Sequence, residues 1–292
     1  MQSGRPSRTA EYMAMFRASE HAKGPDKRIF SDPFAAALLP DSLRLPMQLI
    51  GLGLVRKVLD RYVDRRAPGA RTSAIARTRL IDEWIEQSIV AAQQLVLLGA
   101  GFDTRPWRLG KLRTAKVFEV DHPDTARVKQ RRLQSAGLDL TGITFVAVDF
   151  ERDDFNKRLS EAGFEPGQPS VVVWEGVSQY LASEAVSAVL QWAGRLAPKS
   201  CFIFTYVHQG VLDGTVPFEG AQKVIAKVEE SGEPWRFGLR PEELADFLRE
   251  RGLTLLADYG ADEYRAKVIG PESQAMQGYA SYHAVLTEVP GA

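Results

Sequence analysis

The sequence predicts an α/β fold built on an open, mostly parallel sheet. Four apolar runs rich in branched side chains recur at spacings typical of strand–helix units, at Leu95–Leu98, Val117–Val120, Ile143–Val148 and Ser170–Trp174. The first run stops at a glycine turn, and an acidic residue follows each of the other three. Because helix-connected parallel strands place their carboxyl ends along one edge, the turn and the acids should share the edge where such sheets bind ligands.

The chain ahead of the first strand reads as helical, with prolines separating the segments. The predicted helices cover Thr9–Glu20, Pro33–Leu39, Leu49–Arg65 and Ser73–Gln87. We expect these helices to form a cap, residues 1–90, that packs against a core formed by residues 91–292.

The rest of the core follows the same logic. Further helices are predicted at Pro123–Ala136, Asp153–Ala162, Ser183–Leu196 and Pro241–Arg251. Three more strands are predicted at Cys201–Val207, Leu253–Tyr259 and Tyr279–Thr287, which completes a sheet of seven strands. An insert at about residues 212–238 is longer than a usual connection, and long insertions at a carboxyl edge usually act as lids over a site.

The composition of the chain limits the classes of partner that it is expected to bind. The 292 residues carry 37 basic and 37 acidic side chains, so no overall field favours nucleic acid or an anionic membrane. The one cysteine, Cys201, lies in an apolar strand, so neither a disulfide framework nor a metal site is predicted. No segment has the roughly 18–20 apolar residues of a membrane span, and no secretion signal is visible. We therefore expect a cytoplasmic protein without nucleic-acid or membrane partners.

The turn after the first strand, Gly99-Ala100-Gly101, indicates the class of ligand. The two glycines can adopt positive φ and let a ligand approach the main-chain N–H groups. A dinucleotide fingerprint needs a third small residue where Thr104 stands, and Asp103 beside it would repel a pyrophosphate. No phosphate-binding loop sequence occurs. The turn therefore favours a neutral or cationic ligand over a phosphorylated one.

The acids after the next three strands suggest how such a ligand is held. Asp121, after the second strand, is placed to accept hydrogen bonds from two ribose hydroxyls. Asp149, after the third, is placed to accept from an adenine amino group, and its neighbour Phe150 is assigned to the same site. Glu175, after the fourth, lies near the centre of the cleft, where a sulfonium or an amine would sit. A strand-end aspartate can also simply cap the next helix, but three acids in register favour a shared ligand.

The segment Leu98–Leu109, LGAGFDTRPWRL, resembles the signature of the leucine carboxyl methyltransferase family, including its bacterial branch with polyketide-tailoring enzymes. Supporting similarities occur at Ala76–Arg79, Phe118–Asp121 and Glu175–Leu181, and near the start at Arg17–Glu20 and Asp32–Phe34. The resemblance implies a Rossmann-like methyltransferase fold with an antiparallel final strand and S-adenosylmethionine as cofactor. It also implies methyl transfer to a carboxylate or hydroxyl oxygen of a small-molecule or peptide acceptor.

Arg77 is a candidate ligand-binding residue because its neighbour Arg79 provides a comparison. On a helix, Arg79 has Asp82 and Glu83 at i+3 and i+4, where surface ion pairs form. Arg77 has apolar residues at those positions, so its guanidinium lies on the apolar side and needs a partner. That partner could be a ligand carboxylate bound bidentately or an acid from another segment. The resemblance implies the first, the methionine carboxylate of the cofactor.

His208 and Tyr206, at the end of the fifth strand, are the catalytic candidates. An imidazole titrates near working pH, so His208 is predicted either to deprotonate a hydroxyl acceptor or to position a carboxylate. Tyr206 is a candidate wall around the sulfonium or the acceptor. Two alternative functions are a nicotinamide-dependent oxidoreductase, which Asp103 and Thr104 disfavour, and a catalytically silent cofactor-binding scaffold.

Overall fold

The computed structural model describes residues 8–43, 53–150, 152–218, 224–226, 228, 234–276 and 278–291. Its centre is one seven-stranded sheet in the order β3-β2-β1-β4-β5-β7-β6. The strands are β1 Gln94–Leu98, β2 Lys116–Asp121, β3 Ile143–Ala147, β4 Ser170–Trp174, β5 Cys201–Val207, β6 Thr254–Gly260 and β7 Tyr282–Glu288. β1 to β5 pair in parallel, and β7 runs antiparallel to both of its neighbours. The predicted Rossmann-like sheet with an antiparallel last strand is therefore confirmed.

Strand order reverses between β1 and β4, which lie side by side at the centre of the sheet. Every residue of these two strands is buried, because helices cover both faces, and this explains their nearly continuous apolar sequences. At such a reversal the loops after the two strands diverge and leave a crevice. The glycine turn and Glu175 follow these two strands and so flank the crevice.

The helices of the described chain are α1 Arg8–His21, α2 Gly53–Arg66, α3 Ala70–Ser88, α4 Arg105–Arg108, α5 Pro123–Ser135, α6 Phe155–Glu161, α7 Ser183–Ala193, α8 Gln209–Leu212, α9 Pro241–Arg249 and α10 Ala261–Ile269. α6, α7 and α9 pack on one face of the sheet, and α3 and α10 pack on the other. None of the helices in the described ranges has the length and apolar composition that crossing a membrane requires.

Several elements differ from the predictions. The short helices α4 and α8 were not predicted, and the last strand begins at Tyr282 and not at Tyr279. The predicted helix Pro33–Leu39 is a 3₁₀ turn over Ala35–Leu38, because Asp32 accepts hydrogen bonds from the next N–H groups and starts a tight turn, which Pro40 follows. α10 was not predicted. It begins directly after β6, where the Glu263 carboxylate accepts the N–H of Gly260 at 2.7 Å, and two of its few buried side chains are polar types.

The lid predicted at about 212–238 lies partly outside the described residues, as does the start of the helix predicted from Leu49. The two ends of the insert are held together. The N–H of Leu239 donates to Val207 O at 3.1 Å, and the carbonyl oxygen of Leu239 accepts the N–H of Gln209 at 2.9 Å. The Arg236 N–H donates to the Gln179 carbonyl at 2.7 Å, which ties the far end of the insert to the loop after β4.

A buried ionic contact joins the predicted cap to the core. Asp82 of α3 accepts hydrogen bonds from Arg105 Nε at 2.8 Å and from Arg108 Nη2 at 2.7 Å, and all three side chains are almost fully buried. Removing water from three charges is costly, and only their mutual attraction offsets that cost. The contact therefore fixes where α3 lies relative to the segment after the glycine turn.

We expect Asp82→Ala to lower the free energy of unfolding by about 3–5 kcal/mol, because it leaves buried guanidinium groups without their carboxylate. Its control is the adjacent Glu83→Ala, which breaks an exposed pair with Arg79 at 2.9 Å and should cost less than about 0.5 kcal/mol. Urea denaturation of both variants measures the difference. Equal losses of stability in the two variants would show that the buried contact of Asp82 with Arg105 and Arg108 does not join the cap to the core.

Candidate functional site

The glycine turn after β1 is closed by its own hydrogen bonds. The N–H groups of Gly99 and Ala100 both donate to Val120 O, at 2.8 and 3.1 Å, so they are used inside the protein rather than offered to a ligand. Gly99 and Gly101 have φ of +66° and +47°, and a Cβ on Gly99 would lie 2.4 Å from Cγ2 of Val177. The missing Cβ at Gly99 therefore makes room for Val177, and the N–H groups of Gly99 and Ala100 are not free donors for a ligand.

Asp121 lies beside this turn at the end of β2. One carboxylate oxygen accepts the N–H of Gly101, and the other accepts the N–H of His122 at 2.6 Å. Burial raises the pKa of Asp121 above its usual range, although the two N–H donors oppose this shift. A carboxylate has about four acceptor sites, so each oxygen keeps capacity for a further donor. This arrangement matches a carboxylate prepared to accept two ligand hydroxyls.

Glu175 and Arg77 form an ion pair at the crevice. Arg77 Nε lies 2.8 Å from Glu175 Oε1, and Arg105 Nη1 lies 2.9 Å from Glu175 Oε2. Burial alone would raise the pKa of Glu175, but the guanidinium groups of Arg105 and Arg77 outweigh it and hold that pKa below its usual range. Arg77 and Glu175 were predicted to bind opposite charges of one ligand. The structure brings them together, and they form an ion pair with each other.

Arg105 connects this pair to the rest of the protein and was not predicted as a site residue. Its guanidinium lies 2.8 Å from Asp82, 2.5 Å from Asp103 and 2.9 Å from Glu175, and its side chain is 2% exposed. Burial acts to raise the pKa of Asp103, but Arg105 and other nearby cations hold it well below its usual range. The charge of Asp103, expected to repel phosphate, is therefore largely compensated. The signal for Arg105 in the sequence was its place in Asp103-Thr104-Arg105, within the segment that resembles the family signature.

Helix α1 covers the glycine turn and the ion pair. Met13 Sδ lies 3.7 Å from Arg77 Nη2, and a Cβ on Gly101 would lie 3.5 Å from the Cβ of Ala10. Arg17 of the same helix pairs with Asp32 at 2.9 Å. The cap therefore forms one wall of the site.

Asp149 and Phe150 lie at the end of the neighbouring strand. The main chain there is tied to β2, since Val148 N–H donates to Asp121 O at 2.9 Å. Asp149 Oδ2 is 3.7 Å from Arg152 Nε, and the ring of Phe150 packs against Phe155 with centroids 5.9 Å apart. The sheet thus places Asp149 beside Asp121, as the register of strand ends predicts.

Tyr206 is completely buried, and its hydroxyl is committed elsewhere. It donates to Asp258 Oδ2 at 2.8 Å, and its ring stacks on His283 with centroids 4.7 Å apart. Burial and the nearby Asp258 carboxylate raise the pKa of Tyr206 far above its usual range. The phenol is thus a neutral donor to a structural partner, and the structure does not support the predicted catalytic role of Tyr206.

His208 caps helix α8. Its Nδ1 accepts the N–H of Gly210 at 2.9 Å, so the neutral ring carries its proton on Nε2. Burial and the proximity of His283 lower the pKa of His208, which keeps the ring neutral at pH 7. An imidazole bound in this way has no free nitrogen lone pair with which to accept a proton.

A group of tyrosines beside Arg77 was not predicted as part of the site. The Arg77 guanidinium carbon lies 4.7 Å from the ring centroid of Tyr282, whose hydroxyl is 3.2 Å from Thr205 Oγ1 and 3.4 Å from Gln179 Nε2. Tyr279 stacks on Tyr282 with centroids 5.5 Å apart. In the sequence both tyrosines fall within the predicted last strand, Tyr279–Thr287, where tyrosine is expected from its strand propensity.

The model of the leucine carboxyl methyltransferase family matches residues 10–194, a span that includes the glycine turn, Asp121 and Glu175. The chain belongs to the leucine carboxyl methyltransferase family. This confirms the resemblance read from the sequence and the expected class of enzyme, a methyltransferase that depends on S-adenosylmethionine.

Related sequences and a solved structure agree with this family assignment. A predicted S-adenosyl-L-methionine-dependent methyltransferase of Mycolicibacterium smegmatis is 30% identical, over 78% of this chain and 73% of that protein. Another, of Streptomyces coelicolor, is 31% identical over 84% of this chain and 86% of that protein. A crystal structure of a predicted methyltransferase from Thermobifida fusca has a TM-score of 0.58 at 18% identity, covering 99% of this chain and 100% of that chain, and shows the shared fold.

We expect Arg77→Lys to weaken S-adenosylmethionine binding by about tenfold or more, since lysine keeps the charge but loses the planar fork that bridges two partners. Arg79→Lys is the matched control two positions away, in an exposed pair with Glu83, and should leave binding unchanged. Isothermal titration calorimetry of both variants provides the measurement. Similar losses at the two positions would contradict the assignment of Arg77 to the site.

Proposed function

We propose that this methyltransferase methylates a carboxylate oxygen of a small-molecule or peptide acceptor. The observation that supports a carboxylate is the state of His208, whose Nδ1 accepts a main-chain N–H and whose ring therefore lacks a free basic nitrogen. A carboxylic acid with a pKa of about 4 is already ionised at pH 7 and needs no base. A hydroxyl acceptor would require His208 to give up its capping bond first.

The residues at the edge of the sheet fit the cofactor. Asp121 would accept the ribose hydroxyls, and Asp149 with Phe150 would contact the adenine. The methionine end carries a carboxylate and an ammonium, which match the charges of Arg77 and Glu175. Those two side chains form an ion pair with each other at 2.8 Å. A bound zwitterion would replace this one ion pair by two, one with each side chain, and would leave no charge unpaired.

S-adenosylmethionine, when bound, supplies a methyl group on a positively charged sulfur. Arg77, Glu175 and Asp121 would hold this cofactor, and transfer of its methyl group to a carboxylate oxygen would remove the opposite charges of the carboxylate and the sulfonium. The protein therefore contributes alignment and exclusion of water more than proton transfer. Helix α1 provides one wall for this, and Glu175, held by two guanidinium groups, serves binding and not proton transfer.

The test is a paired panel of carboxylic acids and the corresponding phenols and alcohols, incubated with labelled S-adenosylmethionine. We expect methylation of acids, with no rise in turnover between about pH 6 and 9. Among the described residues, no group of side chains is arranged to hold a metal ion. Addition of a chelator should therefore leave the rate unchanged.

His208→Asn sharpens this test, because an asparagine oxygen can keep the helix cap while the imidazole is removed. We expect turnover of an acid to fall by less than about tenfold in this variant, which corresponds to a positioning effect. His208→Ala, which loses both cap and ring, is the comparison. Methylation of the alcohols only, with a loss of about 10²–10⁴ in both variants, would replace the carboxylate by a hydroxyl acceptor and make His208 its base.

A cytoplasmic location, the division at residue 90 into cap and core, and the lid over the site stay predictions of the sequence.

A further inference from the structure

Tyr279 has an unusual backbone conformation. Its φ is +63°, and the other non-glycine residue with positive φ in the described chain is Lys199, at +67°. Lys199 follows Pro198 in a four-residue turn closed by Ser200 N–H to Ala197 O at 3.0 Å, and such turns place positive φ at their third residue. Tyr279 has no comparable reason, because it opens the next turn instead, accepting the N–H of Tyr282 at 3.1 Å.

Two anchors hold Tyr279 in this conformation. Arg265 of α10, which is fully buried, donates from Nη2 to the carbonyl of Gly278 at 2.8 Å and from Nη1 to Thr72 at 3.3 Å. Gly278, at φ +88°, packs so closely on Pro68 that a Cβ would lie 2.6 Å from the proline carbonyl oxygen. A bulky residue persists at positive φ only where its surroundings impose it, and such residues cluster at functional sites.

The imposed conformation places the Tyr279 phenol beside the ion pair of the site. Its ring stacks on Tyr282, which in turn lies under the guanidinium of Arg77. Tyr180 and Tyr264 are also near enough to affect its ionisation. Burial raises the pKa of Tyr279 far above its usual range, so the phenol stays protonated at any working pH. Its hydroxyl has no hydrogen-bond partner in the part of the chain that the structure describes.

We propose that Tyr279 positions the acceptor by donating a hydrogen bond from its hydroxyl to the carboxylate oxygen that is not methylated. This inference rests on the proposed carboxylate methylation. The attacking oxygen takes the methyl group, the ester and the thioether leave as neutral molecules, and the phenol proton remains on Tyr279 throughout. A neutral donor suits this site, because a further charged side chain would disturb the balance between Arg77, Arg105 and Glu175.

The decisive variant is Tyr279→Phe, which keeps the ring and removes only the hydroxyl. With the best carboxylic acid of the panel, we expect KM to rise about 10- to 100-fold, the usual effect of losing a hydrogen bond to a charged group. The acceptor loses charge during the reaction, so kcat should stay within about threefold. The melting temperature and the calorimetric affinity for S-adenosylhomocysteine should match the wild type, since no bond within the described protein is lost.

Tyr264→Phe is the matched control, because the Tyr264 hydroxyl bonds to Ser73 inside the protein. It should lower the melting temperature by about 2–3 °C and leave the KM for the acid unchanged. A Tyr279→Phe enzyme with a lowered melting temperature and an unchanged KM would assign Tyr279 a structural role and overturn the proposal. Wild-type enzyme that methylates only alcohols would instead reject the proposed function, and the two failures are therefore distinguishable.

Discussion

The guanidinium of Arg105 contacts carboxylates from three parts of the chain: Asp82 in α3, Asp103 in the glycine turn and Glu175 after β4. Three buried carboxylates at this distance would repel one another strongly, and a buried charge without a partner costs several kcal/mol. Arg77 and Arg108 complete the balance from either side. The position of the cap, the shape of the turn and the ionised state of Glu175 all depend on this one buried cation.

The same network explains how a polar site can exist in a well-packed interior. Arg77 and Glu175 are paired with each other inside the protein, so neither charge lies in the interior without a partner. A zwitterionic ligand carries one negative and one positive charge. Its carboxylate would pair with Arg77 and its ammonium with Glu175, in place of the pair that the two side chains form with each other. Binding then depends on geometry more than on net charge, which agrees with the equal numbers of acidic and basic residues in the chain.

Two histidines at strand ends show how local structure can decide chemistry. His122 follows β2 and His208 follows β5, and each accepts through Nδ1 an N–H of the helix that begins there, at 3.3 and 2.9 Å. Both rings are thereby fixed as helix caps. The residue type alone suggests a base, but the hydrogen bond removes the lone pair that a base needs. A hydroxyl acceptor would therefore need another base, and this is the reason why we propose an acceptor that is already ionised.

The sequence by itself determined the strands, the edge they share and the class of ligand. Those features follow from local patterns, namely apolar runs buried on both faces, glycines at a tight turn and acids at strand ends. It also showed that Arg77 is buried, because helical spacing decides which side of a helix a residue occupies. The family could also be identified from the sequence, because its signature is one contiguous segment.

Only the tertiary structure decided which charges meet. Arg77 and Glu175 are 98 positions apart, and Arg105 contacts acids that no periodicity connects. α10 escaped prediction because two of its few buried side chains are of polar types, Tyr264 and Arg265, whose partners lie elsewhere in the chain. The left-handed backbone of Tyr279 is imposed by Arg265 and Pro68 through contacts distant in sequence. Local propensity reports a residue's preference, whereas packing fixes its partners and its conformation.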